Sequence, residues 1–194
     1  MKKAFVPFLL LAALAGCIPS VHPFYTKTDV VFEAGLVGEW QAKEESSDPQ
    51  RWKFEKGEEK SYKLTVTEKE GKHGEFKAHL FKLKDEHFLD IVPNECRFDT
   101  NQAEMISFSI IAGHLLVRVA QLEPDLKFAF FDFDWLEKFL EKNPKSLAHY
   151  HEENRLVLTA DTPELQRFVV QHLAEDELFQ KPRELSRKSS STSK

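Results

Sequence analysis

Apolar and polar positions alternate with a period of two through most of the middle of this chain. "RWKF" places Trp52 and Phe54 on one face. "YKLTV" sets Tyr62, Leu64 and Val66 against Lys63 and Thr65, and "EFKAHLFKL" sets Phe76, Ala78 and Leu80 against Glu75, Lys77 and His79. That period predicts half-buried β-strands. "EHFLDIV", "MISFSII" and "HLLVRVAQL" continue the series, separated by turn-forming stretches such as "EKGEEK" and "EKEGKHG". Neighbouring strands are therefore expected to pair as antiparallel hairpins. "LKFAFFDF" is apolar on both faces, which predicts a strand covered on both sides.

The period switches to 3.6 twice. Residues 134–142 form one expected helix, with Asp134 as N-cap, Glu137 completing a capping box, and Trp135, Leu136, Phe139 and Leu140 as its apolar stripe. Asn143-Pro144 stops it. After a strand in "NRLVLTA", Thr162 is expected to cap a second helix over 162–174, with Pro163 at its first position. Leu165, Phe168, Val169, His172 and Leu173 share one face of it. These elements predict an α+β domain over residues 36–180. Its sheet is a mostly antiparallel curved sheet or partial barrel, with a lipocalin-like barrel as the open alternative, and two helices lie in the C-terminal half. The polar tail, residues 181–194, is expected to be disordered.

The N-terminus follows neither period. Lys2 and Lys3 precede an apolar run, residues 4–15, broken only by Pro7. The run is shorter than the roughly 20 residues a membrane-spanning helix needs, so residues 1–16 are expected to be a removable export signal. Leu14-Ala15-Gly16-Cys17 resembles the lipobox of bacterial lipoproteins, [LVI]-[ASTVI]-[GAS]-C, at all four positions. The resemblance implies a diacylglyceryl group on the Cys17 thiol, cleavage between Gly16 and Cys17, and acylation of the new amine. No other cofactor is expected. One acyl chain binds a bilayer marginally, whereas several on one residue make release very slow. Residues 17–35, with Pro19, Pro23 and the extended "FYTKTDVVFE", are expected to be a lipidated tether. Ile18, standing where an Asp would retain the protein, implies transfer to the outer membrane.

Charge and chemistry narrow the picture further. The chain carries a net charge of −5, and losing the two leader lysines makes it more acidic. Nucleic acid is therefore excluded as a general partner. Cys96 is the one other thiol and is expected to be a small buried residue. His149 and His151 share a face if extended, with Glu152 and Glu153 near, but two histidines fall short of a zinc site. His79, His87 and His114 lie in other strands and are candidates to converge. Asp132 and Asp134 would share a face in an extended segment, where repulsion would raise one pKa, yet Asp134 already has a capping role. No nucleophile elbow or phosphate-binding loop occurs. The expectation is therefore no catalytic residues and no metal. The 17 phenylalanines belong to a core or line an apolar pocket.

Two further resemblances bear on fold and family. Gly38 and Trp40 in "GLVGEW", followed by antiparallel strands, resemble the G-x-W opening of lipocalins, although here two helices flank a final strand. From Cys17 to about Phe168 the chain is similar to a group of bacterial predicted lipoproteins sharing H-P-[LF]-Y-T, G-x-W, D-W-L and L-T-A-x-T-x-E-L-Q-x-F. That resemblance implies the anchor and a shared fold and supplies no mechanism. The expected protein is a membrane-anchored cell-envelope lipoprotein, with its domain facing the periplasm. It would be a non-enzymatic module for a small apolar ligand or an envelope protein. The rival expectations are an envelope assembly or structural factor and a metal-dependent or carboxylate-based hydrolase.

Overall fold

The computed structural model describes residues 17–43, 49–94, 111–153 and 155–188. Two short strands come first, β1 (Pro19–Ser20) and β2 (Val30–Val31), followed by a 3-10 turn at Ala34–Leu36. Then come β3 (Gly38–Ala42), β4 (Arg51–Lys56), β5 (Ser61–Thr67), β6 (His73–Leu83), β7 (Glu86–Pro93), β8 (His114–Gln121) and β9 (Asp125–Phe130). Helix α1 (Phe133–Lys142), β10 (His149–Glu152), β11 (Arg155–Leu158), helix α2 (Thr162–His172) and β12 (Arg183–Arg187) complete the order.

Strands β3 to β9 pair in sequence, each antiparallel to the next. β12 then fits between β9 and β3, antiparallel to both. The eight strands close into a barrel, so the expectation of a curved or partial sheet is corrected to a complete one. The closing strand is "RELSR", inside the segment expected to be a disordered tail. Its one buried residue, Leu185, joins the interior cluster, and its backbone groups satisfy the free edges of β3 and β9.

The alternation read from the sequence sorts the faces correctly. Trp52, Phe54, Tyr62, Leu64, Ala78 and Leu80 point inward together with Trp40, Leu89, Val117, Leu126 and Phe128. Eight strands leave an interior just wide enough for side chains to fill or for one small ligand. Here side chains fill it: Trp40 and Tyr62 are fully buried, and Trp52 lies 4.5 Å from Phe128, centroid to centroid. The 3-10 turn seals one end with Leu36, whose carbonyl accepts the Trp40 indole N–H at 2.9 Å.

A second core lies outside the barrel wall. Phe81, Phe88, Leu116, Ala129 and Phe131 face outward and are covered by Leu136 and Leu140 of α1 and by Leu165, Phe168 and Val169 of α2. The strand expected to be covered on both sides is β9, with Phe128 inside and Ala129 outside. Both helices form where expected, with caps shifted toward the N-terminus. Asp132, not Asp134, caps α1 by accepting the Trp135 N–H at 2.9 Å, and Asp161, not Thr162, caps α2 through the Glu164 N–H. An extended residue preceding the first helical turn places its carboxylate over the free N–H groups, and Asp132 and Asp161 hold those positions.

The segment expected to be a tether is part of the fold. Ile18, Ser20, Phe24 and Val30 are buried. β1 lies between β8 and β11, and β2 pairs with the end of β6 beyond β5. The wall branches at β8: its first two residues pair with β1, and from Val117 onward the same edge pairs with β9. Residues 18–31 thus form a strap across the outer face of the barrel. Pro19 and Pro23 disfavour helix, as expected, but Ile18 and Phe24 bury in the second core and Tyr25 packs against it.

Candidate functional site

The strap covers the strongest cluster of titratable groups among the described residues. The outward row across β6, β7 and β8 contains His79, Asp90 and Leu116, because His79 is opposite Asp90 and Asp90 opposite Leu116. His114, two residues before Leu116, faces the same way. Asp90 has no solvent exposure, and both its oxygens are used. Oδ1 lies 2.7 Å from His114 Nδ1, and Oδ2 accepts the Phe24 backbone N–H at 2.9 Å. A buried carboxylate needs such partners to stay charged. The Tyr25 ring covers His79 with centroids 4.4 Å apart, and its hydroxyl lies 3.5 Å from His79 Nε2.

Burial acts on these groups in opposite directions. It pushes the His79 pKa below 6.5, helped by the charge of Lys77 and opposed by Asp90. It pushes the Tyr25 phenol up to about 12, with the Asp90 charge adding to the effect. His79 Nδ1 is buried and has no hydrogen-bond partner.

Helix α2 fastens the strap from the other side. The Thr162 hydroxyl donates to the Pro23 carbonyl at 2.7 Å, so the residue expected as a cap serves the strap instead. Gln166 Nε2 donates to the Phe24 carbonyl at 2.9 Å and to Asp29 Oδ2 at 2.8 Å. Desolvation would raise the Asp29 pKa, but hydrogen bonds from Thr26 and Gln166 outweigh it and hold the carboxyl below its ordinary value.

Cys17 sits at the start of this strap. It is partly exposed with a free thiol, and Ile18 directly after it is 2 % exposed. Burial raises the thiol pKa against the opposing charge of Arg183, which disfavours the thiolate a nucleophilic cysteine requires. Gly16 and Cys96 lie outside the described residues, as does most of "MISFSII".

The other candidates separate. His149 Nδ1 donates to the Leu147 carbonyl at 2.8 Å, His151 pairs with Glu137 of α1 at 3.0 Å, and Glu152 accepts the Tyr150 hydroxyl. These groups reach three different partners, and among the described residues no three His, Cys, Asp or Glu side chains are placed to hold a metal. Asp132 caps α1 while Asp134 is exposed in its first turn, so the two carboxylates weighed for the hydrolase alternative have separate places. Of the three strand histidines, His79 and His114 converge on Asp90. His87 is opposite Val119 and shares its inward face.

In the sequence Tyr25 stands out only as the tyrosine of H-P-[LF]-Y-T, and Asp90 carries no motif. The available signal was a lone carboxylate in "HFLDIV", where a half-buried strand would carry it only with a partner.

The chain matches no protein-family model, no curated protein and no solved structure. No helix of the described residues is long and apolar enough to cross a membrane.

Proposed function

We propose that this chain is a bacterial cell-envelope lipoprotein, held at the outer membrane through lipidated Cys17 with its barrel facing the periplasm. It acts there as a non-enzymatic module that binds another envelope protein. One observation carries the choice of a protein partner over a small ligand: the barrel interior is occupied by its own aromatic side chains, Trp40, Trp52, Phe54, Tyr62 and Phe128. Recognition then falls to the outer surface. The Asp90 cluster supports a non-catalytic reading, because both carboxylate oxygens are engaged in holding the strap and the imidazole. The lipocalin-like reading belongs here as well. It is supported by the eight-stranded antiparallel closure and by Gly38 and Trp40 at the opening strand.

The test has three measurements. The mature protein isolated from cells should begin at Cys17 and carry a diacylglyceryl group and an N-acyl chain by intact mass. Cys17→Ala should leave an unlabelled precursor under metabolic palmitate labelling. Native mass spectrometry of the anchor-free domain should show the bare polypeptide mass. A stoichiometric apolar ligand would replace partner binding with carriage, and stoichiometric zinc would restore the hydrolase reading.

A further inference from the structure

The strap carries the anchor residue at one end, and its middle rests on an imidazole. His79 projects outward from β6, and the Tyr25 ring lies directly on it. Next to Tyr25, the Phe24 N–H reaches Asp90. Lifting the strap would therefore hydrate His79 and release the Asp90 oxygen together.

We propose that residues 18–31 form a proton-responsive clasp: the strap lies closed while the His79 imidazole is neutral and opens more often when it takes up a second proton. The proposal rests on lipidation of Cys17 only for its consequence at the membrane. The clasp itself is a property of the folded chain.

The groups facing His79 come from every element around it. Tyr25 of the strap covers the ring, Asp90 of β7 stands opposite, His114 of β8 lies beyond Asp90, Lys77 is on its own strand, and Glu59 approaches from the β4–β5 turn. Asp90, the cross-strand neighbour of His79 on the same outward face, favours an imidazolium more than Glu59 does, and it is already engaged by His114 and by the Phe24 N–H. A charged His79 under the strap would keep an unpartnered Nδ1. With the strap lifted, water solvates both ring nitrogens, so the proton binds the open form more tightly, and by linkage acid favours that form. Ile18, Phe24 and Val30 remain buried in the closed form, so the closed state stays in the majority and acid changes the size of the open fraction. A single proton can raise that fraction by at most about tenfold per pH unit below the free imidazole value.

For an anchored protein the open state has a mechanical meaning. Fourteen strap residues, fully extended, reach about 45–50 Å. Opening turns a body held one residue from its anchor into one on a long leash.

Hydrogen exchange of the full-length chain, purified in detergent, tests the clasp whether or not Cys17 is lipidated. Exchange protection of peptides from residues 18–31, corrected for the intrinsic pH dependence of exchange, should fall between pH 7.5 and 5. Peptides from β4 and β5 should keep theirs. His79→Gln should flatten the strap's response. Lys77→Gln, an exposed change that leaves the fold intact if His79→Gln does not, should move its onset to higher pH. Strap protection that is unchanged with pH in the parent chain, or an onset unmoved by Lys77→Gln, would overturn the proposal. A failed anchor would alter none of these readouts.

Discussion

The Arg187 guanidinium lies 4.2 Å from the centroid of the Trp40 ring, joining the last strand of the barrel to the first. It also donates through Nη1 to the Val37 carbonyl at 2.9 Å and through Nη2 to the Gly35 carbonyl. The cation thus clamps the 3-10 turn that seals the barrel end. Gly38 makes room for it. Its φ is +141°, and a Cβ there would meet Arg187 Nη1 at 2.5 Å. The G-x-W spacing has a physical reason in this chain: the tryptophan supplies the ring and the glycine the space for the cation above it.

Arg187→Ala should therefore destabilise the protein by about 1–3 kcal/mol, since it removes a cation–π contact and two hydrogen bonds to carbonyls. Gly38→Ala acts on the same clamp and adds backbone strain. The double variant should cost less than the sum of the two single ones. Urea denaturation of the four proteins checks this, and strict additivity would count against a shared clamp.

The closing strand gives a sharper test. A chain ending at Gln180 lacks β12 and should lose cooperative unfolding, because β3 and β9 are left with open edges and the interior loses Leu185. A chain ending at Lys188 should unfold like the full protein. Near-ultraviolet circular dichroism with thermal melting distinguishes the two, and a well-folded 1–180 chain would contradict barrel closure by β12.

Asp90→Ala should be among the most damaging single substitutions outside the barrel interior. It leaves the buried Phe24 N–H without its acceptor and the partly exposed His114 without its partner. Leaving a buried donor unsatisfied costs about 1–3 kcal/mol. Denaturant midpoints measure the loss, and a change within experimental error would mean the pair adds nothing.

Acid should weaken the domain through two histidines, His79 and His87. Burial, then the charges of Lys77 and Lys82 respectively, holds His79 and His87 below 6.5. The folded state thus prefers them neutral, and the unfolded chain binds more protons once the pH falls below 6.5. Their contribution is complete above that value and is lost as the pH drops toward their folded values. Tyr25 acts at the other extreme. Its raised pKa of about 12 against 10.0 removes stability as the pH climbs between those values. Urea midpoints across the pH range should therefore decline on both sides, and a midpoint higher at pH 5 than at pH 7.5 would refute the histidine half.

The sheet was legible in the sequence wherever one face of a strand had to be apolar. Phe54, Leu64 and Leu80 declare the inside of the barrel by period alone. The strands that were not legible are those whose pairing comes from elsewhere. β1 and β2 are two residues each, and β12 has Leu185 as its single buried residue. β2 lies in "FYTKTDVVFE", whose β-branched content reads as extended, but nothing local gives any of the three a pairing partner. They are strands because neighbouring edges were left open. The candidate site was hidden for a related reason. His79, Asp90 and His114 are 11 and 24 residues apart along the chain, and strand register alone sets them on one face. The caps were displaced by one or two residues because several acids stand near each helix start, and backbone geometry chose between them.

Barrel closure through β12 also has a temporal consequence. The gap between β3 and β9 is filled by residues 183–187, the last of the described strands in chain order. A chain emerging from its amino end first carries two unsatisfied strand edges until residues 183–187 have appeared. Throughout that interval it can recruit any stray β-segment in its surroundings, so folding without aggregation depends on shielding a nascent, seven-stranded intermediate until its lock arrives.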